Sequence, residues 1–198
     1  MSRQEIRARL REARRSLPPI QHKQRSLAIC QQIIRHPLLR RSQRVALFLS
    51  NDGEVDLSPL IHRLHATGKQ CYLPCLAPGR GHTLWFAPYP NSARLQPNRY
   101  GIGEPIATNK RLTPIYTLDL VLMPLVAFDC HGNRLGMGGG YYDRSFAYLR
   151  KRNHWQKPRL IGTAFELQQL EAVPPRPWDV AMSGVFTERG FLPRESTE

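Results

Sequence analysis

Long hydrophobic runs are missing from this 198-residue sequence. The longest, residues 45–49 and 120–123, fall far short of the roughly 20 apolar residues that a membrane-spanning helix needs. The N-terminus is rich in arginine and has no apolar signal core, so no secretion route is visible. We therefore expect a cytoplasmic protein that does not bind membranes.

Cysteine is scarce, and internal repeats and low-complexity tracts are absent. The four cysteines, at positions 30, 71, 75 and 130, lack the density and pairing of a disulfide framework, so we expect reduced thiols. The spacing of Cys71 and Cys75 is compatible with zinc. A single pair without a second one is a weak signal, however, and within an apolar strand these residues are better explained as core thiols.

Acidic residues are few compared with basic ones, and the imbalance is local. The chain has 29 Lys and Arg against 15 Asp and Glu, and residues 1–44 hold eleven Arg and one Lys against two Glu, a net charge of +10. Such an arm is typical of proteins that bind RNA, since every neutralised phosphate adds affinity. It could equally bind the phosphates of a small molecule or form a solvated helical face, and for a charge run taken alone the solvated face is favoured.

The order of the predicted elements indicates one α/β domain over residues 1–198. Hydrophobic residues make up 41% of the chain, enough for a folded core. Strands that alternate with helices favour a three-layer α/β/α sandwich with a central mixed, mostly parallel sheet, preceded by two N-terminal helices in an arm over residues 1–37. The predicted helices cover 3–15, a stretch ending at Pro37, 57–68 and 142–152. The predicted strands cover 45–49, 71–76, 83–89, 119–123, 159–164 and 181–187, and 90–118 is predicted to be rich in loops.

A glycine cluster follows the strand predicted at 119–123 and precedes a predicted helix. Its members are Gly136, Gly138, Gly139 and Gly140. Ligands of open α/β sheets bind outside the carboxyl ends of strands, and glycines let backbone N–H groups approach an anion, so phosphate is the expected ligand. Tyr141 rules out both the Walker loop and the dinucleotide fingerprint by spacing. A tight turn without a ligand is the alternative, which Arg134 and Asp143 on either side disfavour.

The segment from Arg134 to Asp143 resembles the signature of the 5-formyltetrahydrofolate cyclo-ligase family, also called methenyltetrahydrofolate synthetases. That signature reads Arg-x-Gly-x-Gly-x-Gly-aromatic-Tyr-Asp, and here the sequence is Arg-Leu-Gly-Met-Gly-Gly-Gly-Tyr-Tyr-Asp. The similarity continues through the Arg-rich N-terminal helix, residues 48–54, 124–129 and 177–179. It therefore covers nearly the whole chain in the expected order.

The resemblance implies an enzyme that uses ATP and Mg²⁺ to convert 5-formyltetrahydrofolate into 5,10-methenyltetrahydrofolate, releasing ADP and phosphate. Phosphorylation of the formyl oxygen would make it a leaving group, and N10 of the folate would then close the ring. Two other functions stay open: an RNA-binding module that uses the basic arm, and an unrelated ATP-dependent kinase that uses the glycine loop. We expect a monomer with a small-molecule substrate, with or without a polyglutamate tail, and no nucleic-acid partner.

The resemblance also implies the site residues. ATP would be bound by Arg3, Arg7, Arg134, Leu135, Gly136, Met137, Gly138, Gly139, Gly140, Tyr141 and Tyr142. The folate would be bound by Leu49, Glu54, Tyr100, Met137, Gly138, Gly139, Gly140 and Tyr141. Asp143 and Asp179 would bind magnesium, and Arg134 and Tyr141 would act in catalysis. The chain departs from the family pattern at two positions: Arg3 stands where the family has Lys, and Gly139 stands where many members have Lys.

Overall fold

The computed structural model of the chain describes residues 1–77, 81–106, 112–152 and 157–195. The helices are α1 (Arg3–Arg15), α2 (Pro19–Arg35), α3 (Pro37–Arg41), α4 (Ser58–Ala66) and α5 (Tyr141–Ser145). The strands are β1 (Arg44–Ala46), β2 (Gln70–Leu76), β3 (Leu84–Pro88), β4 (Leu95–Pro97), β5 (Gly103–Pro105), β6 (Leu120–Pro124), β7 (Ala127–Phe128), β8 (Arg134–Leu135), β9 (Arg159–Thr163), β10 (Gly184–Thr187) and β11 (Gly190–Pro193). Short 3₁₀ helices lie at Ile115–Thr117, Ala147–Lys151 and Glu166–Gln168.

A central sheet of seven strands, in the order β11-β10-β9-β6-β1-β2-β3, organises the described residues. The five inner strands run parallel to one another, and the edge strands β3 and β11 pair antiparallel with β2 and β10. Val45 at the centre lies opposite Cys71 on one side and Leu120 on the other. The prediction of a mixed, mostly parallel sheet is therefore confirmed.

Helices cover both faces of the sheet, which gives the expected three layers. On one face, buried side chains of α2 and α4 such as Ile33 and Leu60 join a cluster with Val45 and Leu122. On the other face, Phe146 after α5 packs in a second cluster with strand residues such as Val121. Strands that are buried on both sides explain why β6 is apolar at successive positions instead of alternating.

Helix α1 forms where the sequence predicts it. The Ser2 Oγ accepts a hydrogen bond from the Glu5 N–H (3.2 Å), and the Ser2 N–H donates to the Glu5 carboxylate (3.1 Å), which makes a capping box. Ile6 and Leu10 are buried against Val126 and other residues of a third apolar cluster. This packing holds the basic helix on the domain.

One predicted helix is interrupted. The sequence pattern predicts a helix over 142–152, and helical turns do form there, but α5 ends after a single turn and a 3₁₀ helix follows. Phe146, between them, adopts φ −103° and ψ 13°, and its ring is fully buried. The helix ends here because the Phe146 ring packs into the core, and this packing overrides the local helix propensity.

Several strand boundaries also differ from the prediction. The β1 ladder ends at Ala46, and β10 begins at Gly184 instead of residue 181. The two-residue strands β7 and β8 and the edge strand β11 were not predicted. Region 90–118 contains only short elements, as expected, and its residues 107–111 lie outside the described part of the chain.

The described cysteines agree with the expectation of reduced thiols. All four are free, and Cys30, Cys71 and Cys75 are buried while Cys130 is partly exposed. Within the described residues, no helix has the length and apolar character required to cross a membrane.

Candidate active-site cleft

A cleft of about 450 Å³ opens at the carboxyl ends of the neighbouring parallel strands β1, β2 and β6. The chain leaves β1 after Ala46, and the residues that follow, including Phe48 and Leu49, turn toward the cleft instead of extending the ladder. The early end of β1 therefore supplies part of the cleft wall. The location is the one at which open α/β sheets bind ligands.

Nearly all residues that the family resemblance singles out line this one cleft. They are Arg3, Arg7, Leu49, Glu54, Tyr100, Arg134, Gly136, Met137, Gly138, Gly139, Gly140, Tyr141, Tyr142, Asp143 and Asp179. The exception is Leu135, whose fully buried side chain packs with Ile6 and Leu10 beneath α1. Its side chain serves the core, so the prediction that Leu135 contacts the nucleotide finds no support in the position of this side chain.

The glycine loop adopts backbone conformations that residues with a side chain would adopt only with strain. Gly138 has φ +104°, and Gly140, which caps α5, has φ +65°, both in the left-handed region. The Arg7 Nε–H donates to the Gly136 carbonyl at 2.8 Å, so α1 touches the loop directly. Because α5 is only five residues long, cationic side chains and not a helix dipole dominate the potential here.

Two arginines at the loop are paired with the two predicted metal ligands. The Arg134 guanidinium donates to Asp143 Oδ1 (2.6 Å) and also to the Val180 carbonyl. The Arg3 guanidinium donates to Asp179 Oδ2 at 3.2 Å. The Val180 N–H also donates to Asp143 Oδ1 (3.1 Å), which holds the two carboxylates in neighbouring positions. These pairs balance part of the positive charge at the glycine loop.

The donor set of Asp143 and Asp179 fits a hard divalent cation. The hydrogen bonds use Asp143 Oδ1 and Asp179 Oδ2, and no donor among the described residues bonds to the other oxygen of either carboxylate. Both side chains are partly exposed and line the cleft. Mg²⁺ prefers one or two carboxylates together with phosphate oxygens and waters, so these residues could hold it beside a nucleotide.

Positive charge is in excess at this end of the cleft. Burial lowers the pKa of Arg7 from its ordinary value, and repulsion from Arg3 and Arg176 lowers it further. Arginine remains charged despite such a shift, so the repulsion between these groups raises the free energy of the folded protein. An anion bound among these three guanidinium groups would relieve it.

The lining of the cleft also includes a carboxyl group with an unusual pKa. Burial raises the pKa of Glu54 to about 7, although the charge of Arg14 and a hydrogen bond from the Asn51 N–H both oppose the shift. Glu54 therefore changes between a hydrogen-bond donor and an acceptor near neutral pH. Leu49, nearby in the lining, supplies apolar surface.

Two loops meet across the mouth of the cleft. The hydroxyl groups of Tyr100, in the β4–β5 connection, and Tyr141, at the start of α5, are 2.9 Å apart. The Arg99 guanidinium donates to the Tyr141 hydroxyl and lies 5.0 Å from the centre of the Tyr100 ring. The rings of Tyr100 and Tyr141 and the guanidinium of Arg99 therefore lie together next to the glycine loop.

Asp52 joins α1 to the loop that carries Glu54. Arg14, which is 1% exposed, donates to the Asp52 carbonyl (2.8 and 3.0 Å), to Asp52 Oδ2 (3.0 Å) and to the Leu125 carbonyl (3.1 Å). Arg11 and Arg15 also pair with the Asp52 carboxylate. Asp52 itself has φ +51°, a left-handed conformation that a non-glycine residue keeps only when its surroundings hold it.

Sequence reasoning missed several of these residues. Nothing local in the sequence distinguishes Arg14 from the other arginines of the basic arm, or Asp52 from its neighbours in residues 48–54. Arg176 stacks on Trp178 (5.3 Å to the ring centre) and lines the cleft, and its position beside residues 177–179 was the available signal. Arg99 could have been found as the neighbour of Tyr100.

Comparison with known proteins agrees with this geometry. The model of the 5-formyltetrahydrofolate cyclo-ligase family matches residues 1–188. The 5-formyltetrahydrofolate cyclo-ligase of Haemophilus influenzae is 37% identical over 186 residues, covering 93% of this chain and 96% of its own length. That of Escherichia coli K12 is 38% identical over 178 residues, covering 90% and 96%. The NMR structure of Aquifex aeolicus 5,10-methenyltetrahydrofolate synthetase superposes with a TM-score of 0.82 at 29% identity, covering 100% of this chain and 95% of that one.

Arg14→Met is expected to lower the free energy of unfolding by about 3 kcal/mol, because it leaves buried oxygens of Asp52 and Leu125 without their donor. Urea denaturation measures the change. Arg15→Met is the matched control: Arg15 is half exposed, and the loss of its weaker contact with Asp52 is expected to cost less than about 1 kcal/mol. Equal midpoints for the two variants would contradict the assignment.

Proposed function

The chain belongs to the 5-formyltetrahydrofolate cyclo-ligase family, and we propose that its cleft uses ATP to convert 5-formyltetrahydrofolate into 5,10-methenyltetrahydrofolate, with release of ADP and phosphate. One observation carries the proposal. The arginine-rich glycine loop and the wall formed by Leu49, Glu54 and Tyr100 line the same cavity. A nucleotide and a folate bound there would have their reactive groups in contact.

The chemistry explains why both ligands are needed. The formyl oxygen on N5 is a poor leaving group, so transfer of the γ-phosphoryl group to it converts the formamide into an iminium phosphate. N10 then attacks the formyl carbon, loses its proton and closes the ring, and the C–O bond breaks to release phosphate. No covalent bond to the enzyme is required, so catalysis depends on positioning and electrostatic stabilisation.

The loop end of the cleft suits the phosphates of ATP. Arg3, Arg7 and Arg134 would bind phosphate oxygens together with the backbone N–H groups of the glycines. Arg3 and Arg134 each bind one carboxylate and one backbone carbonyl, and a phosphate would add a further partner to each planar guanidinium. Arg144, which donates to the Gly139 carbonyl, offers a cation beside the position where many relatives have lysine.

Asp143 and Asp179 would hold Mg²⁺ through the carboxylate oxygens that no described donor uses. Bound there, the ion would neutralise part of the charge on the β- and γ-phosphates. In the protein itself, Arg134 and the Val180 N–H fix the Asp143 carboxylate, and the Arg176 N–H and Arg3 fix that of Asp179.

The other wall suits a reduced pterin. The Glu54 carboxylate would accept hydrogen bonds from pterin N–H groups, Leu49 would contact the ring, and Tyr100 would stack on it. Tyr141 lies between this wall and the glycine loop, where its hydroxyl would face the reacting groups. The bridge from Arg99 and Tyr100 to Tyr141 would exclude water from the phosphorylated intermediate.

The RNA-binding alternative loses support because much of the basic arm is engaged within the protein. Arg11, Arg14 and Arg15 pair with Asp52, and Arg25 pairs with Glu188. A kinase that merely shares the glycine loop would not need the second wall of the cleft.

The direct test mixes the purified protein with Mg-ATP and 5-formyltetrahydrofolate and follows methenyl product and ADP together. We expect one ADP for each methenyl group formed, and no product with the β,γ-imido analogue of ATP. ADP formation that does not depend on the folate, or no product from the folded protein, would contradict the proposed function.

Arg7→Ala is expected to raise the KM for ATP about tenfold to a hundredfold, the effect of losing a charged hydrogen bond, with a change of no more than about twofold in the KM for the folate. Arg9→Ala, an exposed position on the same helix, is the matched control and should leave both constants unchanged. Equal effects of Arg7→Ala on the two KM values would argue against a phosphate role.

The KM for the folate should depend on the ionisation of Glu54. With a pKa of about 7, the carboxyl group is mostly neutral at pH 6 and mostly ionised at pH 8, and only the ionised form is purely an acceptor. We expect the folate KM to fall as the pH rises through 7. Glu54→Gln, which keeps the shape but cannot ionise, should remove this dependence, and persistence of the inflection in the variant would assign it to another group.

A further inference from the structure

A second cluster of reactive side chains lies away from the cleft. The Cys130 thiol, the His131 imidazole and the Glu195 carboxylate each offer one ligand atom, and these atoms all lie within 4.8 Å of one another. None of the three residues lines the cleft. Within residues 1–77, 81–106, 112–152 and 157–195, no other group of three such side chains comes together in this way.

The turn that carries Cys130 and His131 is rigidly built. It connects β7 to β8, and the Asp129 carboxylate accepts hydrogen bonds from the backbone N–H groups of His131 (3.0 Å), Asn133 (3.0 Å) and Val173 (2.9 Å). The side-chain amide of Asn133 also donates to it (2.9 Å). One buried carboxylate therefore fixes the two backbone positions from which the thiol and the imidazole project.

The segment after β11 is tied to the same turn. The Glu195 N–H donates to the Cys130 carbonyl at 2.9 Å, and the Met182 N–H donates to the Gly132 carbonyl at 2.9 Å. Gly132 has φ +79°, and a Cβ there would come within 2.5 Å of the Met182 carbonyl oxygen, so only glycine allows this approach. The third ligand is thus held against the first two by main-chain contacts between segments distant in sequence.

The chemistry of the cluster favours a divalent cation. A thiol, an imidazole and a carboxylate are all common metal ligands, and here one of each offers a donor atom to the same point. A metal ion that binds the sulfur displaces the thiol proton to solvent.

We propose that Cys130, His131 and Glu195 form a zinc site with one thiolate, one imidazole and one carboxylate ligand, the fourth position being taken by water. Zinc accepts this combination of sulfur, nitrogen and oxygen donors, whereas Mg²⁺ would not take a thiolate. Zn–ligand bonds of about 2.0–2.3 Å place tetrahedral donors roughly 3.3–3.8 Å apart. The exposed side chains of His131 and Glu195 can close the remaining distance by rotamer changes.

Bound zinc would fasten the segment after β11 to the turn that precedes Arg134. Because the site shares no residue with the cleft, it does not depend on the proposed catalytic function. The expected consequence is thermal stabilisation, since a ligand that binds only the folded state raises the unfolding midpoint by an amount that grows with the logarithm of its concentration over Kd.

Zinc titration of the metal-free, full-length protein against a chromophoric chelator tests the site. We expect one equivalent bound, and at least about tenfold weaker binding after Cys130→Ser, His131→Ala or Glu195→Gln. His62→Ala, which removes an exposed histidine elsewhere, should bind as the unmodified protein does. Cobalt(II) should give a thiolate charge-transfer absorption that Cys130→Ser abolishes.

Two results would overturn the proposal. One is the absence of stoichiometric zinc binding by the folded, reduced protein. The other is binding that survives Cys130→Ser and His131→Ala with unchanged affinity, which would place the metal at other side chains. Thermal unfolding with and without zinc, measured on the same variants, shows that each of them is folded and whether the metal stabilises it.

Discussion

The hydrogen bonds and the ion pair between Arg14 and Asp52 hold the cleft in its conformation. A guanidinium that is 1% exposed binds the carbonyl and carboxylate of Asp52 and the carbonyl of Leu125, so one side chain joins α1, the loop after β1 and the segment after β6. Burying a charge is unfavourable unless every donor has a partner, and here the partners are backbone oxygens of two loops as well as a carboxylate. The left-handed conformation of Asp52 is held by the same contacts.

The contact between Arg14 and Asp52 also fixes the position of helix α1 at the cleft. With Arg14 fixed near the end of the helix, Arg7 and Arg3, about two and three turns earlier, lie against the glycine loop and Asp179. The same junction fixes the loop of Glu54, whose pKa reflects both its burial and the charge of Arg14. The arginines of residues 1–44 therefore divide between contacts that hold the domain together and positions that line one end of the cleft.

The features that could be predicted from the sequence are those formed by residues close together in the chain. The glycine loop with Arg134 and Asp143 is contiguous, the capping box of α1 spans four residues, and the apolar runs of the inner strands reflect burial on both faces. Contacts between distant segments were not recoverable, because nothing near Arg14 in the sequence marks Asp52 or Leu125 as its partners. The break at Phe146 has the same origin, since it follows from core packing and not from local propensity.

We propose that the glycine-loop end of the cleft binds the phosphates of ATP and that the wall of Leu49, Glu54 and Tyr100 binds the folate, so that the formyl oxygen of the substrate is the acceptor of the γ-phosphoryl group. A single-turnover reaction of 5-formyltetrahydrofolate labelled with ¹⁸O in the formyl group tests this transfer. If the formyl oxygen is phosphorylated and leaves with the phosphate, mass spectrometry will find the label in inorganic phosphate. Unlabelled phosphate, with the ¹⁸O released as water, would show that the formyl oxygen is not phosphorylated.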